Sequence, residues 1–335
     1  MAGELSFDDE LTASVRGDRL QLILLPTEQC NFRCTYCYED FALGRMAPDV
    51  VSGIKNLIDR RADTLKHLQV SWFGGEPMLA ASIIEDIASH AVSVQKRCKS
   101  LRYQGDMTTN GYFLDGDAAE RLAGLGIQNY QISLDGPGEC HDRTRLRADG
   151  KGTFERIWSN LLSIRDSSAG VHVMLRIHLT PENISAMPDF LVLVRETLLS
   201  DRRFTVFLKR VVRLGGPNDA AMKVLESDDQ RIAQLRSLVL EGAGAEEQLY
   251  EPERVCYAAR ANSLLVRADG RLGKCTVGLS DPANTIGQLF PDGSVRIDNP
   301  RLRLWLQGWE SRDAELTACP YLAFTRKQPQ LLQIH

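Results

Sequence analysis

From Leu20 to Arg210 short apolar runs alternate with amphipathic stretches. Runs at Leu20–Leu25, Leu68–Phe73, Leu101–Thr108, Gln128–Leu134, Val171–Leu179 and Phe204–Leu208 predict six strands. Helical patterns lie between them. Pro48–Leu65 sets Val50, Val51, Ile54, Leu57 and Ile58 on one face, with Pro48 suited to a first turn. Ser82–Lys96 does the same with Ile83, Ile84, Ile87 and Ala91, and Asp115–Leu125, Thr153–Arg165 and Glu182–Leu199 complete the series. Such alternation predicts parallel strands joined by right-handed crossovers. Six units are fewer than the eight of a closed barrel, so the expected fold is α/β, an open, partial (β/α)6 barrel. Ser227–Glu241 predicts a linking helix, followed by Gly242-Ala243-Gly244. From about Glu251 the pattern changes, and Ser263–Cys275 reads as a β-hairpin turning at Asp269-Gly270. The expected division is a core at 1–215, a helical linker at 216–250 and a small C-terminal domain at 251–335.

Composition narrows the class. Of 335 residues 43% are hydrophobic and 25% charged, which excludes a disordered, collagen-like or disulfide-stapled chain. A net charge of −4 offers no electrostatic case for nucleic acid or an anionic membrane as partner. The opening MAGELSFDDE lacks a basic segment followed by an apolar one, and no apolar run approaches the roughly 18 residues of a membrane helix. The expected location is cytoplasmic.

The cysteines carry the chemistry. Cys30, Cys34 and Cys37 fall within eight residues, Cys256, Cys275 and Cys319 lie in the last quarter, and Cys98 and Cys140 stand alone. Without a secretion signal, metal binding or catalysis is the expected use of such a set, rather than disulfides. In parallel α/β folds ligands gather beyond the carboxyl ends of the strands. Cys30-x3-Cys34-x2-Cys37 follows the first predicted strand, and Gly74-Gly75-Glu76-Pro77 the second. Thr109-Asn110-Gly111 follows the third, and Ser133-Leu134-Asp135-Gly136 closes the fourth. Three thiolates from one short loop suit three irons of a cubane, leaving the fourth iron open. The alternative is a zinc knuckle completed from afar, which leaves the other three segments unexplained.

At these residues the chain resembles the radical S-adenosylmethionine superfamily, whose hallmark is C-x3-C-x2-C with an aromatic, here Tyr36, before the third Cys. The resemblance covers roughly Leu20 to Leu208. It implies an S-adenosylmethionine-binding [4Fe-4S] cluster on Cys30, Cys34 and Cys37. It implies that Gly74, Gly75, Glu76 and Pro77 contact the cofactor's methionine amino group, and that Ser133 and Asp135 lie near its polar end. Asn110 joins the cofactor-binding set, and Arg145, with Arg143 as the fallback, faces the methionine carboxylate. The implied chemistry is reductive cleavage of the sulfonium to a 5′-deoxyadenosyl radical, which takes a hydrogen atom from an unactivated carbon.

The tail resembles the opening of SPASM and twitch domains, C-x(9–15)-G-x4-C, at Cys256, Gly270 and Cys275. Cys319 follows, and no further cysteine comes after it. The resemblance therefore implies one auxiliary [4Fe-4S] cluster on Cys256, Cys275 and Cys319, its fourth ligand unnamed; the alternative is three buried free thiols. Cys98 and Cys140 read as ordinary thiols, His141-Asp142 as a pair that positions its loop, and Leu302, Trp305 and Trp309 as core packing at helical spacing. Proteins with this core and a Cys-rich tail mostly modify peptides. The expected reaction is oxidative crosslinking of a short ribosomal precursor peptide. Formylglycine formation, as in anaerobic sulfatase maturases, and small-molecule dehydrogenation are the alternatives. Sulfatase-type enzymes place an Asp base directly after the hairpin's second Cys, where this chain has Thr276. About 20 residues precede the first strand, so leader recognition is expected to fall to the core, the tail or a partner. A reductase, flavodoxin or ferredoxin is the expected electron donor.

Overall fold

The computed structural model describes residues 6–240, 249 and 255–325. Six strands, β1 (Arg19–Leu24), β3 (His67–Trp72), β4 (Arg102–Thr109), β5 (Ile127–Leu134), β7 (His172–Leu179) and β8 (Phe204–Arg210), lie side by side in chain order, every pair parallel. They are the six strands expected, displaced at their ends by a residue or two. The crossovers carry helices α2 (Pro48–Arg61), α3 (Ala81–Arg97), α4 (Gly116–Ala123), α6 (Phe154–Asp166) and α7 (Met187–Thr197). Their apolar stripes cover the outer face of the sheet: α2 buries Val50, Ile54, Leu57 and Ile58 against Leu20, Leu22 and Leu24 of β1 and its neighbours. The fold is thus an α/β partial barrel. The sheet stays open, and its inner face is polar toward the mouth, with Ser133, Arg176 and His178 on alternate positions of β5 and β7.

Two three-residue strands escape the periodicity. β2 (Phe32–Cys34) and β6 (Arg145–Arg147) form their own antiparallel ribbon, with the short α5 (Gly138–Thr144) just before β6. The linking helix is α8 (Gln230–Val239), shorter than expected; Glu241 and Gly242–Gly244 lie outside the described residues. It buries Leu235 and Val239.

The tail continues the same sheet. The expected hairpin is β9 (Ser263–Val266) and β10 (Arg271–Gly273), with Gly270 at φ +82° closing its turn. β9 pairs in parallel with β1, Gln21 opposite Ser263, and β11 (Gly287–Leu289) and β12 (Val295–Ile297) extend the sheet to ten strands. Three closing helices, α9 (Asn299–Ser311), α10 (Ala314–Ala318) and α11 (Pro320–Thr325), gather on Trp305, which is fully buried and stacks on Tyr321 with ring centroids 6.0 Å apart. Trp309, expected to pack in the core, is instead exposed at the surface, where its indole N–H donates to the Leu11 carbonyl of α1 (Phe7–Ala13). Among the described residues no helix is long and apolar enough to cross a membrane.

Candidate active site

Cys30, Cys34, Tyr36, Cys37, Gly74, Gly75, Asn110, Ser133 and Arg145 line one cavity of about 190 Å³ at the carboxyl ends of the strands. Glu76, Pro77 and Asp135 are buried but are not among its lining residues. Four sequence segments far apart in the chain therefore converge, and each is fixed by a nameable contact.

The paired glycines support the cysteine loop. Gly74 has φ +121°, and a Cβ there would lie 2.2 Å from the Thr27 carbonyl oxygen. A Cβ on Gly75 would lie 2.5 Å from the Gln29 carbonyl oxygen. Small residues are required because two backbones touch. Glu76 caps the turn that follows: its carboxylate accepts from Met78 N (2.9 Å), with Pro77 at the first helical position. It also accepts from Thr109 Oγ1 (2.8 Å) and Asn110 N (2.7 Å), tying this segment to the end of β4. Burial raises its pKa, and those hydrogen bonds pull the other way. Asn110 Nδ2 donates to Asn31 Oδ1 at 2.8 Å, one residue from Cys30.

Opposite stands a polar cluster. Cys34 pairs with Arg145 across the β2–β6 ribbon. Arg145 donates to Tyr36 Oη (2.9 Å), which donates to Asp135 Oδ1 (2.8 Å). Thr144 Oγ1 donates to Asp135 Oδ2 at 2.6 Å. His178 Nδ1 lies 3.1 Å from Asp135 Oδ1 and donates when that nitrogen carries the proton. Burial works to raise the Asp135 pKa, but the His178 hydrogen bond and the Arg145 charge hold it well below the carboxylate range. Burial holds His178 down to about 4, so its ring is neutral at pH 7. Burial also opposes the Arg145 charge, yet Tyr36, Cys34 and Asp135 keep its pKa above the usual value. Arg145 Nε is buried without a partner, a donor left for a ligand in the cavity.

The His141-Asp142 pair holds this loop. His141 Nδ1 accepts from Asp135 N (3.3 Å), and Nε2 meets Thr153 Oγ1 (3.1 Å). Asp142 Oδ1 accepts from Thr153 N (2.7 Å) and Phe154 N (2.9 Å), capping α6 from outside. Arg143 is exposed and pairs with Glu139.

The thiols fit cluster ligation. Cys30 accepts an N–H from Phe32 (3.3 Å), Cys37 from Glu39, Cys256 from Ala258 and Cys275 from Val277 (3.4 Å). In each case the donor is two residues on, and such bonds favour negative sulfur. As free groups these thiols are far from ionised: burial pushes Cys30 up to about 12 and Cys37 and Cys256 up to about 11. Thiolate character there requires a bound metal. Among the described residues no three His, Cys, Asp or Glu side chains converge on one ion-sized point. Cys30, Cys34 and Cys37 line one cavity together, and three thiols from one loop are the donor set of a multi-iron cluster.

Cys256, Cys275 and Cys319 lie within electrostatic reach of one another. Asn284 fixes the middle one, accepting from Lys274 N and Cys275 N and donating to the Cys275 carbonyl at 2.7 Å. Tyr38, on the cavity wall, lies within electrostatic reach of both Cys37 and Cys275, but Cys256, Cys275 and Cys319 are not among the residues that line the cavity. Cys98 and Cys140 stay apart from both: Cys98 caps α3, and Cys140 lies in α5.

Sequence reasoning missed Arg176, His178 and Lys209, which also line the cavity. Their signal was polar residues at period two, Arg176 and His178 alternating with Leu175 and Ile177 near the end of a strand. It also missed Asn183, whose amide donates to the Asp135 and His178 carbonyls, both at 2.9 Å.

Parallel strands opening on a mouth with a Cys-x3-Cys-x2-Cys loop define an α/β protein built to hold an iron–sulfur cofactor. The Radical SAM superfamily model matches residues 24–194, just over half of the chain, and the chain belongs to that superfamily, whose cofactors are a [4Fe-4S] cluster and S-adenosylmethionine. The chain is 29% identical over 178 residues to the PqqA peptide cyclase of Gluconobacter oxydans, covering 53% of this chain and 46% of that protein. It is 28% identical over 168 residues to the AdoMet-dependent heme synthase of Nitratidesulfovibrio vulgaris, covering 49% and 41%. The matched region thus spans less than half the length of either relative. The solved structure of native anSMEcpe with bound AdoMet and the Cp18Cys peptide shares the fold, with a TM-score of 0.66 over 86% of this chain and 84% of that one, at 17% identity.

Proposed function

We propose that the protein oxidatively crosslinks a short, ribosomally made precursor peptide. The observation that supports this reading is that Tyr38, on the wall of the cavity lined by Cys30, Cys34 and Cys37, lies within electrostatic reach of Cys275, which is itself within reach of Cys256 and Cys319. A [4Fe-4S] cluster with S-adenosylmethionine, when bound, supplies a 5′-deoxyadenosyl radical able to take a hydrogen atom from substrate carbon. A two-electron oxidation leaves one further electron after hydrogen-atom abstraction, and an auxiliary [4Fe-4S] cluster on the tail cysteines, if bound, would be the acceptor. Similarity to a peptide cyclase supports a peptide as substrate.

The chain's own residues do the positioning. Cys30, Cys34 and Cys37 hold the core cluster on a loop wedged against Gly74 and Gly75. Arg145 presents its free Nε beside Ser133 to the cofactor's carboxylate end. Tyr36 and Asp135 hold Arg145 in place, while Glu76, Pro77 and Asn110 fix the opposite wall. The Thr276 hydroxyl lies 2.8 Å from Tyr257 Oη and is no base at neutral pH, which favours crosslinking over formylglycine formation. In this reading residues 1–215 form the radical core, 216–250 the linker and 251–335 a SPASM/twitch-like auxiliary domain, and a reductase, flavodoxin or ferredoxin supplies electrons. The test incubates reconstituted enzyme, reductant, S-adenosylmethionine and each short peptide that the neighbouring reading frames encode, then reads the products by tandem mass spectrometry. Loss of two hydrogen atoms with one new intramolecular bond is expected. An unmodified peptide, with oxidation of a small metabolite instead, overturns the reading.

A further inference from the structure

Among the described residues two cations on the mouth, Arg176 and Lys209, form no ion pair with a carboxylate, although Asp135 lies within electrostatic reach of Arg176. Arg176 of β7 and Lys209 of β8 line the cavity, each with its charged end 6.0 Å from the Phe207 ring centroid. Arg176 sits opposite Ser133 in register, and Lys209 opposite His178. Arg176 Nε is buried without a hydrogen-bond partner. Among the described residues no carboxylate lies within ion-pair distance of either cation. Among the described residues Glu39 is the one carboxylate that lines the cavity, and it pairs with neither.

The cofactor does not fill the gap. S-adenosylmethionine carries an ammonium and a sulfonium against one carboxylate, and Arg145 stands ready for that carboxylate. Both side chains are half-buried, with Arg176 Nε itself shielded from solvent, and a partly desolvated charge without an ion-pair partner is stabilised by a ligand of opposite sign. Lys209 lies within electrostatic reach of Cys319, which puts it on the side of the cavity nearer the tail cysteines. A guanidinium beside an ammonium matches a carboxylate, the fork supplying two parallel hydrogen bonds and the ammonium a point charge.

We infer that Arg176 and Lys209 form a carboxylate-binding subsite that holds an Asp or Glu side chain of the substrate peptide next to the reacting carbon. This rests on the peptide reading above. The test uses reconstituted enzyme with S-adenosylmethionine and isothermal titration of two probe pairs. One pair is Ac-Gly-Ser-Glu-Ser-Gly-NH2 and its Gln counterpart; the other is glutarate and its monoamide. The Glu peptide is expected to bind at least tenfold more tightly than the Gln peptide. Arg176→Met and Lys209→Met should each bring that ratio toward one, with Lys209→Arg keeping most of it. A preference for glutarate without any between the peptides upholds the subsite and counts against the peptide. Peptides bound equally well, with no preference for glutarate, overturn the subsite and leave the peptide reading standing. Failure of both the Glu peptide and glutarate to bind overturns it too. So does a fall in S-adenosylmethionine affinity in Arg176→Met that equals the fall for the Glu peptide, since Arg176 then serves the cofactor.

Discussion

Replacing Gly75 with Ala separates two roles for the paired glycines, access for a cofactor and room for the cysteine loop. Unlike Gly74, Gly75 does not have a positive φ, so Ala meets no backbone strain and the effect is steric. The new Cβ would lie 2.5 Å from the Gln29 carbonyl oxygen and 2.6 Å from its carbon, against an ordinary contact of 3.4 Å. The loop must retreat by about 0.9 Å, pulling on the Glu76 N to Gln29 O hydrogen bond and on Cys30, the next residue. Overpacking of this kind costs about 1–3 kcal/mol. With an unfolding entropy of about 0.7 kcal/mol per kelvin for 335 residues, the melting temperature falls by about 1.5–4 °C. The functional loss is larger, because a displacement of about 1 Å at a reacting centre costs on the order of 100-fold in rate. The assays are thermal melting, iron per chain after anaerobic reconstitution, the electron paramagnetic resonance signal of the reduced core cluster, and 5′-deoxyadenosine yield. The loop role predicts an altered cluster signal even without S-adenosylmethionine. An unchanged signal with weakened S-adenosylmethionine binding refutes it and returns the glycines to cofactor access. A variant that melts and turns over like wild type refutes both.

Arg267→Met should destabilise the protein by about 3–5 kcal/mol, or about 4–7 °C, because it strands the fully buried Glu28 carboxylate that Arg267 grips at 3.0 and 2.5 Å. Adding Glu28→Gln should restore much of this, and equal melting of the single and double variants would argue against a charge effect. Reconstitution should load about eight irons per chain, and the Cys30/Cys34/Cys37→Ala triple variant should keep about half while making no 5′-deoxyadenosine. Wild-type cleavage by that variant would sink the core assignment, and an iron-free triple variant would sink the tail cluster. Stability should fall as pH drops from about 6.5 toward 4. Burial holds His141 at about 4 in the folded protein against 6.5 when unfolded, so in that window the unfolded chain binds the extra proton. The slope is at most about 1.4 kcal/mol per pH unit for this group, and His141→Asn should flatten it in melts between pH 4.5 and 7. Identical slopes in both proteins would refute the assignment.

The six barrel strands and their helices were legible because each is written in a local period, β-branched runs against stripes such as Val50, Ile54 and Leu57. The chemistry of the site was legible for a related reason: three thiols in eight residues restrict what a loop can bind, whatever surrounds it. The ribbon that sets Cys34 against Arg145 was not legible, since three-residue strands carry no period and pair only once the loops have been brought together. Nor was the parallel pairing of β9 with β1, which makes the tail an extension of the barrel sheet. GGEP could be matched as a motif, but its glycines turn out to be small because the Thr27–Gln29 backbone lies against them, a contact made only in the folded chain. The same limit applies to charge. Arg267 and Arg176 are alike in a sequence, yet one is gripped by Glu28 and the other lines the cavity with no ion pair among the described residues. Local sequence determines which groups are present and the period of their segment. Neighbours from distant segments determine whether a charge is paired, a thiol buried or a glycine obligatory, because those properties depend on separation in space.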